Sequence, residues 1–149
     1  MIVTITSFPD MLVTLEEAKT AIGESGTDRD DLIEGLILAA QAELDGPKGW
    51  VGISVAQQGV EVRFDTFEEC PLRLPGGPII GEVAVSYLDA DGASQVLDTD
   101  DYEVLADGSL ILVDGAAWPT LADQTGAITA AYTVGMVEGE EAQRIGLMK

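Results

Sequence analysis

The spacing of apolar residues changes once along this 149-residue chain, near residue 50, and that switch dictates two kinds of structure in series. Before it, Leu32, Ile33, Leu36, Ile37, Ala40 and Leu44 recur every three or four residues, which places them along a helix. After it, Val60, Val62 and Phe64 alternate with Glu61, Arg63 and Asp65, as in a half-buried strand. A helical period does not settle into a strand, nor the reverse. The chain therefore reads as an α+β fold: N-terminal helices followed by a small antiparallel β-sheet or sandwich of short hairpins.

Local signals set the helix limits. Thr14 followed by Glu17 fits a capping box, in which the hydroxyl accepts from the third helical amide and the carboxylate returns to the cap's own amide, worth about 1 kcal/mol. Leu15, Ala18 and Ile22 then share a face, and Gly23 ends the helix. After the polar linker 24–27, Asp28, Asp30 and Asp31 fall in the first turn of a second helix, where negative charge complements the dipole. Its wide apolar stripe reads as core, not as a cofactor surface. Gly46-Pro47 stops it.

The strands are punctuated by turn chemistry. Val83, Val85 and Tyr87 lead through Asp89-Ala90-Asp91-Gly92 to Gln95-Val96-Leu97, an Asp-Gly hairpin hung from the Pro/Gly-rich lead-in 71–78. Residues 102–105 and 110–113 flank Ala106-Asp107-Gly108-Ser109 in a second hairpin. Ile128, Ala130, Tyr132 and Val134 alternate with Thr129, Ala131 and Thr133. This gives five or six short strands in a single domain spanning 1–149: helical over 11–46, β-rich over 51–135, and a C-terminal segment 136–149. That segment offers a short helix with Ala142, Ile145 and Met148 on one side, weakened by Gly139 and Gly146. Mobility is expected at the termini and in the stretch Gly49 to Gly59.

Charge narrows the partners. Twenty-seven acidic residues against seven basic ones, with no histidine, give a formal net charge of −20. With 46% apolar residues and clear patterning, this charge belongs on a folded surface and not on a disordered chain. Such a surface repels phosphate, so neither a basic nucleic-acid interface nor an anionic membrane suits it. Partners are expected to be proteins. The opening 1–6 lacks the pattern of a signal peptide and no run of about 18 apolar residues occurs, so synthesis and assembly in the cytoplasm are expected. Cys70 is the one cysteine, which rules out a disulfide within the chain.

The reactive residue types do not form a catalytic set. Without histidine there is no Ser-His-Asp triad and no imidazole metal ligand. Cys70 sits beside Glu68 and Glu69, whose charge raises a thiol pKa and makes it a poor nucleophile. Asp89 with Asp91, and Asp98 with Asp100 and Asp101, offer oxygen ligands but lack the spaced set and terminal Glu of an EF-hand, so turn chemistry explains them better. Gly76-Gly77 is not followed by a helix with Lys and Ser/Thr, and so fails as a phosphate loop. Trp50 and Trp118 read as plugs at the edge of the core, not as a sugar-stacking platform. A pair of carboxylates acting on a glycoside stays open, since so many acids always supply close pairs. No catalytic residue, metal or cofactor is assigned.

Several stretches, taken in order, resemble the head-to-tail connector (adaptor) proteins of tailed bacteriophages. They are the helix 31–40 continuing through Glu43-Leu44-Asp45-Gly46-Pro47-Lys48-Gly49-Trp50-Val51-Gly52; the pair Gln57-Gln58 before a strand ending near Phe64; and Leu72-Arg73-Leu74-Pro75 leading to the hairpin at 83–92. Tyr102-Glu103-Val104 and the run 126–135 extend the likeness, which spans about residues 14 to 135. Each piece alone is common; their order makes the resemblance specific.

The resemblance implies a structural virion protein, not an enzyme. It implies a homo-oligomeric ring, typically a dodecamer, bound to the portal protein at the capsid vertex and presenting its far side to a stopper or tail component. Viral genome ejection then proceeds through a channel that DNA crosses without specific binding, because acidic walls repel the phosphate backbone. The family usually continues into a long C-terminal helix and tail lodged against the portal. That portal-contact role is carried here to Ala142, Gln143, Arg144, Ile145, Leu147 and Met148. Two alternatives stay open: another phage ring component, such as a stopper or tail terminator, which would leave the N-terminal helices unexplained, and an extracellular carbohydrate- or calcium-binding module.

Overall fold

Alternating apolar residues bury one face of each main strand, and hydrogen bonding between those strands orders the molecule. The computed structural model describes residues 1–7, 9–67 and 71–136. The elements are β1 (Ile2–Ile5), α1 (Leu15–Ile22), α2 (Asp30–Leu44), β2 (Gln58–Phe64), β3 (Leu72–Arg73), β4 (Ile79–Leu88), β5 (Ser94–Val96), β6 (Tyr102–Val104), β7 (Ser109–Leu112) and β8 (Ile128–Val134). The architecture is α+β, with eight strands among the described residues. A strand precedes the helices, so the order differs from helices first. The expected C-terminal helix lies outside the described residues.

The strands form a five-stranded sheet, ordered β1-β2-β8-β4-β5, and a three-stranded sheet, ordered β3-β7-β6, with every pairing antiparallel. Strand β8 lies at the centre of the larger sheet, pairing Val62 with Ala130 on one side and Val85 with Ala130 on the other. Its inward residues Ile128, Ala130, Tyr132 and Val134 are all at most 5% exposed. The smaller sheet supplies Leu72, Tyr102 and Leu110 to the same continuous core. Two buried tyrosines fasten the layers: the Tyr102 hydroxyl donates to the Val83 carbonyl, and the Tyr132 hydroxyl donates to Pro75 at 2.9 Å. Burial also holds the Tyr132 phenol protonated well above its usual range.

Both Asp-Gly hairpins form where the sequence places them. Strand β4 carries one irregularity: its register against β8 jumps between Ile80 and Ala84, and Gly81 supplies the positive φ of 73° inside that bulge. The end of β8 is fixed by Gly135, at φ 136°, where a Cβ would come within 2.7 Å of the Gln57 backbone and 2.8 Å of the Ala56 carbonyl. Only glycine fits there.

The stretch Gly49 to Gly59 is not a free loop. Ser54, Val55, Ala56 and Gln58 are each at most 5% exposed. The Ser54 amide donates to the Gly76 carbonyl at 2.9 Å, and the Met136 amide to the Val55 carbonyl at 3.0 Å. This segment plugs one end of the sandwich, because its own apolar residues and backbone partners hold it.

Candidate functional site

The two helices pack against each other and make at most marginal contact with the strands. Helix α1 begins in the expected capping box: Thr14 accepts from the Glu17 amide at 3.3 Å, while Glu17 accepts from the Thr14 amide at 2.9 Å. It ends on Gly23 in the left-handed conformation. Helix α2 starts at Asp30, with Arg29 at the cap, so Asp28 lies before its first turn. Lys19 is 6% exposed and pairs with Asp30 at 2.8 Å, joining the C-terminal half of α1 to the start of α2. The Asp30 hydrogen bond holds the Lys19 ammonium above its ordinary pKa, keeping it charged.

Polar side chains moor this pair to the body. Gln41 on α2 accepts from the Leu12 amide at 2.8 Å and donates to the Asp10 carbonyl at 2.9 Å, clamping the segment between β1 and α1. Beyond the last turn, the Asp45 carboxylate accepts from the Val55 amide at 2.5 Å and, more weakly, from that of Ala56 at 3.4 Å. The amides of Trp50 and Val51 fold back onto the carbonyls of Glu43 and Leu44. Carbonyls that a helix end leaves unpaired are satisfied in this way.

The mooring leaves the apolar surface of α2 in solvent. Of the expected core stripe, Ile33 alone is buried; Ile37 is half-buried, Ala40 is exposed, and Leu32, Leu36 and Leu44 are 61%, 62% and 39% exposed. Leu38 adds a further exposed leucine. Trp50, expected as a plug, is 87% exposed, and Val51 beside it is also exposed. The exposed leucines share one cause: among the elements α2 packs mainly against α1, and one short helix cannot cover an apolar surface that extends most of the way around its neighbour. Width was the signal available in the sequence. A helix facing one core carries a stripe, whereas residues 35–42, Gly-Leu-Ile-Leu-Ala-Ala-Gln-Ala, are uncharged all round.

Trp118 does behave as a plug. Its ring stacks on Phe67 with centroids 4.1 Å apart and planes 6° from parallel, beside a shallow hollow lined by Thr66, Pro119 and Leu121. A larger open groove, about 730 Å³, runs between the Gly76-Gly77-Pro78 turn and the β6–β7 turn. Backbone and aliphatic groups line most of it, and Asp107 is its one ionisable side chain.

The acidic turn residues are occupied with local structure. Asp89 accepts from the side chain of Gln95 at 2.8 Å and from the amides of Ala93 and Asp91, and these bonds hold its carboxyl below the usual range. Asp98 accepts from the Asp100 amide at 3.0 Å. Asp107 is depressed by Ser109, whose amide donates to it at 3.0 Å. Asp65 accepts from the Gly126 amide at 2.6 Å. Among the described residues no three His, Cys, Asp or Glu side chains group as a metal site, and no helix is long and apolar enough to cross a membrane. Cys70 and the expected portal contacts Ala142, Gln143, Arg144, Ile145, Leu147 and Met148 lie outside the described residues.

No protein-family model matches the chain, and no curated protein sequence is significantly similar to it. Solved structures do share its fold. A chain in the virion of a native gene transfer agent particle superposes with a TM-score of 0.63 at 16% identity, covering 91% of this chain and 72% of that one. A chain in the neck of the empty particle, solved with C6 symmetry, gives 0.62 at 16% identity, covering 91% and 71%. One in the neck of the native particle, solved with C12 symmetry, gives 0.51 at 15% identity, covering 89% and 69%. At these identities the likeness is one of fold.

Proposed function

We propose that this chain is a structural subunit of the neck of a phage-like particle: a head-to-tail connector that forms a ring between the portal and the tail stopper and lines the channel for genome passage. The observation that carries this reading is the fold shared, over about nine-tenths of the chain, with chains of gene transfer agent particles, two of them in neck structures computed with C6 and C12 symmetry. Two features of the molecule support it. The exposed leucines of α2 and Trp50 form a surface that water disfavours and a protein partner would cover. Asp89 and Asp98, weighed as calcium ligands, accept from backbone amides within turns, a structural use that favours an assembly role.

In this role the formal charge of −20 keeps DNA from adhering to the channel wall as it passes. The test is removal of the chain from the particle that encodes it. Filled capsids without tails should accumulate, and cryo-electron microscopy of complete particles should place the chain in a closed ring at the head-to-tail junction. Normal tailed particles formed in its absence would refute the proposal.

A further inference from the structure

The geometry points to a second copy of this chain as the occupant of the exposed α2 surface: Leu32, Leu36 and Leu38, with Trp50 and Val51, form the contact between neighbouring subunits. This inference rests on the connector reading and names the partner of one of its surfaces. Three observations converge on a copy of the same chain.

The first is charge. Two bodies of net charge −20 are least repelled where acids do not oppose acids, and residues 35–42 and 49–52 carry no charge, the second stretch being held to the end of α2 by the backbone bonds of Trp50 and Val51. A basic partner would instead be drawn to the acidic faces. The second is area. The five side chains expose on the order of 500 Å² of apolar surface, more than half of the roughly 800 Å² each partner contributes to a specific interface. The third is shape. Gly35, Ala39 and Ala42 form a shallow strip between Leu36 on one flank and Leu38 on the other, a groove that accepts apolar knobs from a facing element. A ring requires that this surface meet a different face of the next copy, so the contact is head-to-tail.

The test places the photo-reactive residue p-benzoylphenylalanine at position 36 of the full chain, within assembled particles. Irradiation should yield cross-links between copies of this chain. In parallel, Leu36→Asp should keep its fold by circular dichroism, because Leu36 is 62% exposed, yet fall at least about 10-fold in incorporation into the ring. Cross-links solely to a portal or tail protein, no cross-link from a chain that is present in the ring, or wild-type incorporation of Leu36→Asp would each overturn the inference while leaving the connector role standing. Absence of the chain from the particle would instead refute the role itself, and the inference with it.

Discussion

Removing the carboxylate of Asp45 should loosen the joint between the helical pair and the sandwich. Val55 and Ala56, the amides it receives, are 5% and 4% exposed, so Asp45→Ala strands at least one buried donor away from water. An orphaned buried donor costs about 1–3 kcal/mol, and bonds to charged acceptors sit in the upper part of that range. We therefore expect about 2 kcal/mol, or roughly 4–8 °C in melting temperature for a chain of this size. Asp45→Asn keeps a neutral acceptor beside Val55 and should lose about half as much. Thermal unfolding followed by circular dichroism at fixed salt measures both variants. Native-state hydrogen exchange should show the Val55 amide opening faster in the alanine variant. Melting of Asp45→Ala within about 1 °C of wild type, or equal losses for the two variants, would refute the reasoning.

Gly135→Ala should cost more than about 2 kcal/mol, because the added Cβ meets the backbone of Ala56 and Gln57 at a positive φ; a melting temperature near wild type would contradict this packing. The Asp89 carboxyl is depressed below its usual 3.8, so its contribution is present above that value and is lost as pH falls through the lower folded one. The stability gap between wild type and Asp89→Ala should accordingly narrow as acid is added below about pH 4, and a gap that widens on acidification would reverse the sign. Raising salt from about 10 mM to 150 mM shortens screening from about 30 Å to 8 Å and should raise the melting temperature of this highly acidic chain; a fall would show that self-repulsion is not the dominant electrostatic cost.

What the sequence makes legible is what short-range chemistry determines. The Thr14–Glu17 box, the Asp-Gly turns and the alternation of Val60, Val62 and Phe64 all act over a few residues, and each appears in place. Strand β1 escaped because its partner lies some 60 residues away, pairing Ile5 with Val60, and four residues of weak alternation do not announce it. Burial of 54–56 depends on Asp45 and Gly76, contacts with no local trace. The stripe on α2 was visible, but periodicity says that a face will be buried, not by whom. Leu36 and Trp50 read as interior residues because one chain cannot reveal that part of its interior is shared.

The near-independence of the helical pair from the sandwich has an evolutionary corollary. Tyr102 and Tyr132 fix the layers of the sandwich without reference to α1 or α2, while Lys19 and Asp30 lock the helices to each other. The two halves are coupled mainly through a few polar contacts, those of Asp45 and Gln41. The outer face of the helices can be resurfaced to suit a different neighbour while the strand pairing stays as it is, provided that Asp45 and Gln41 are kept.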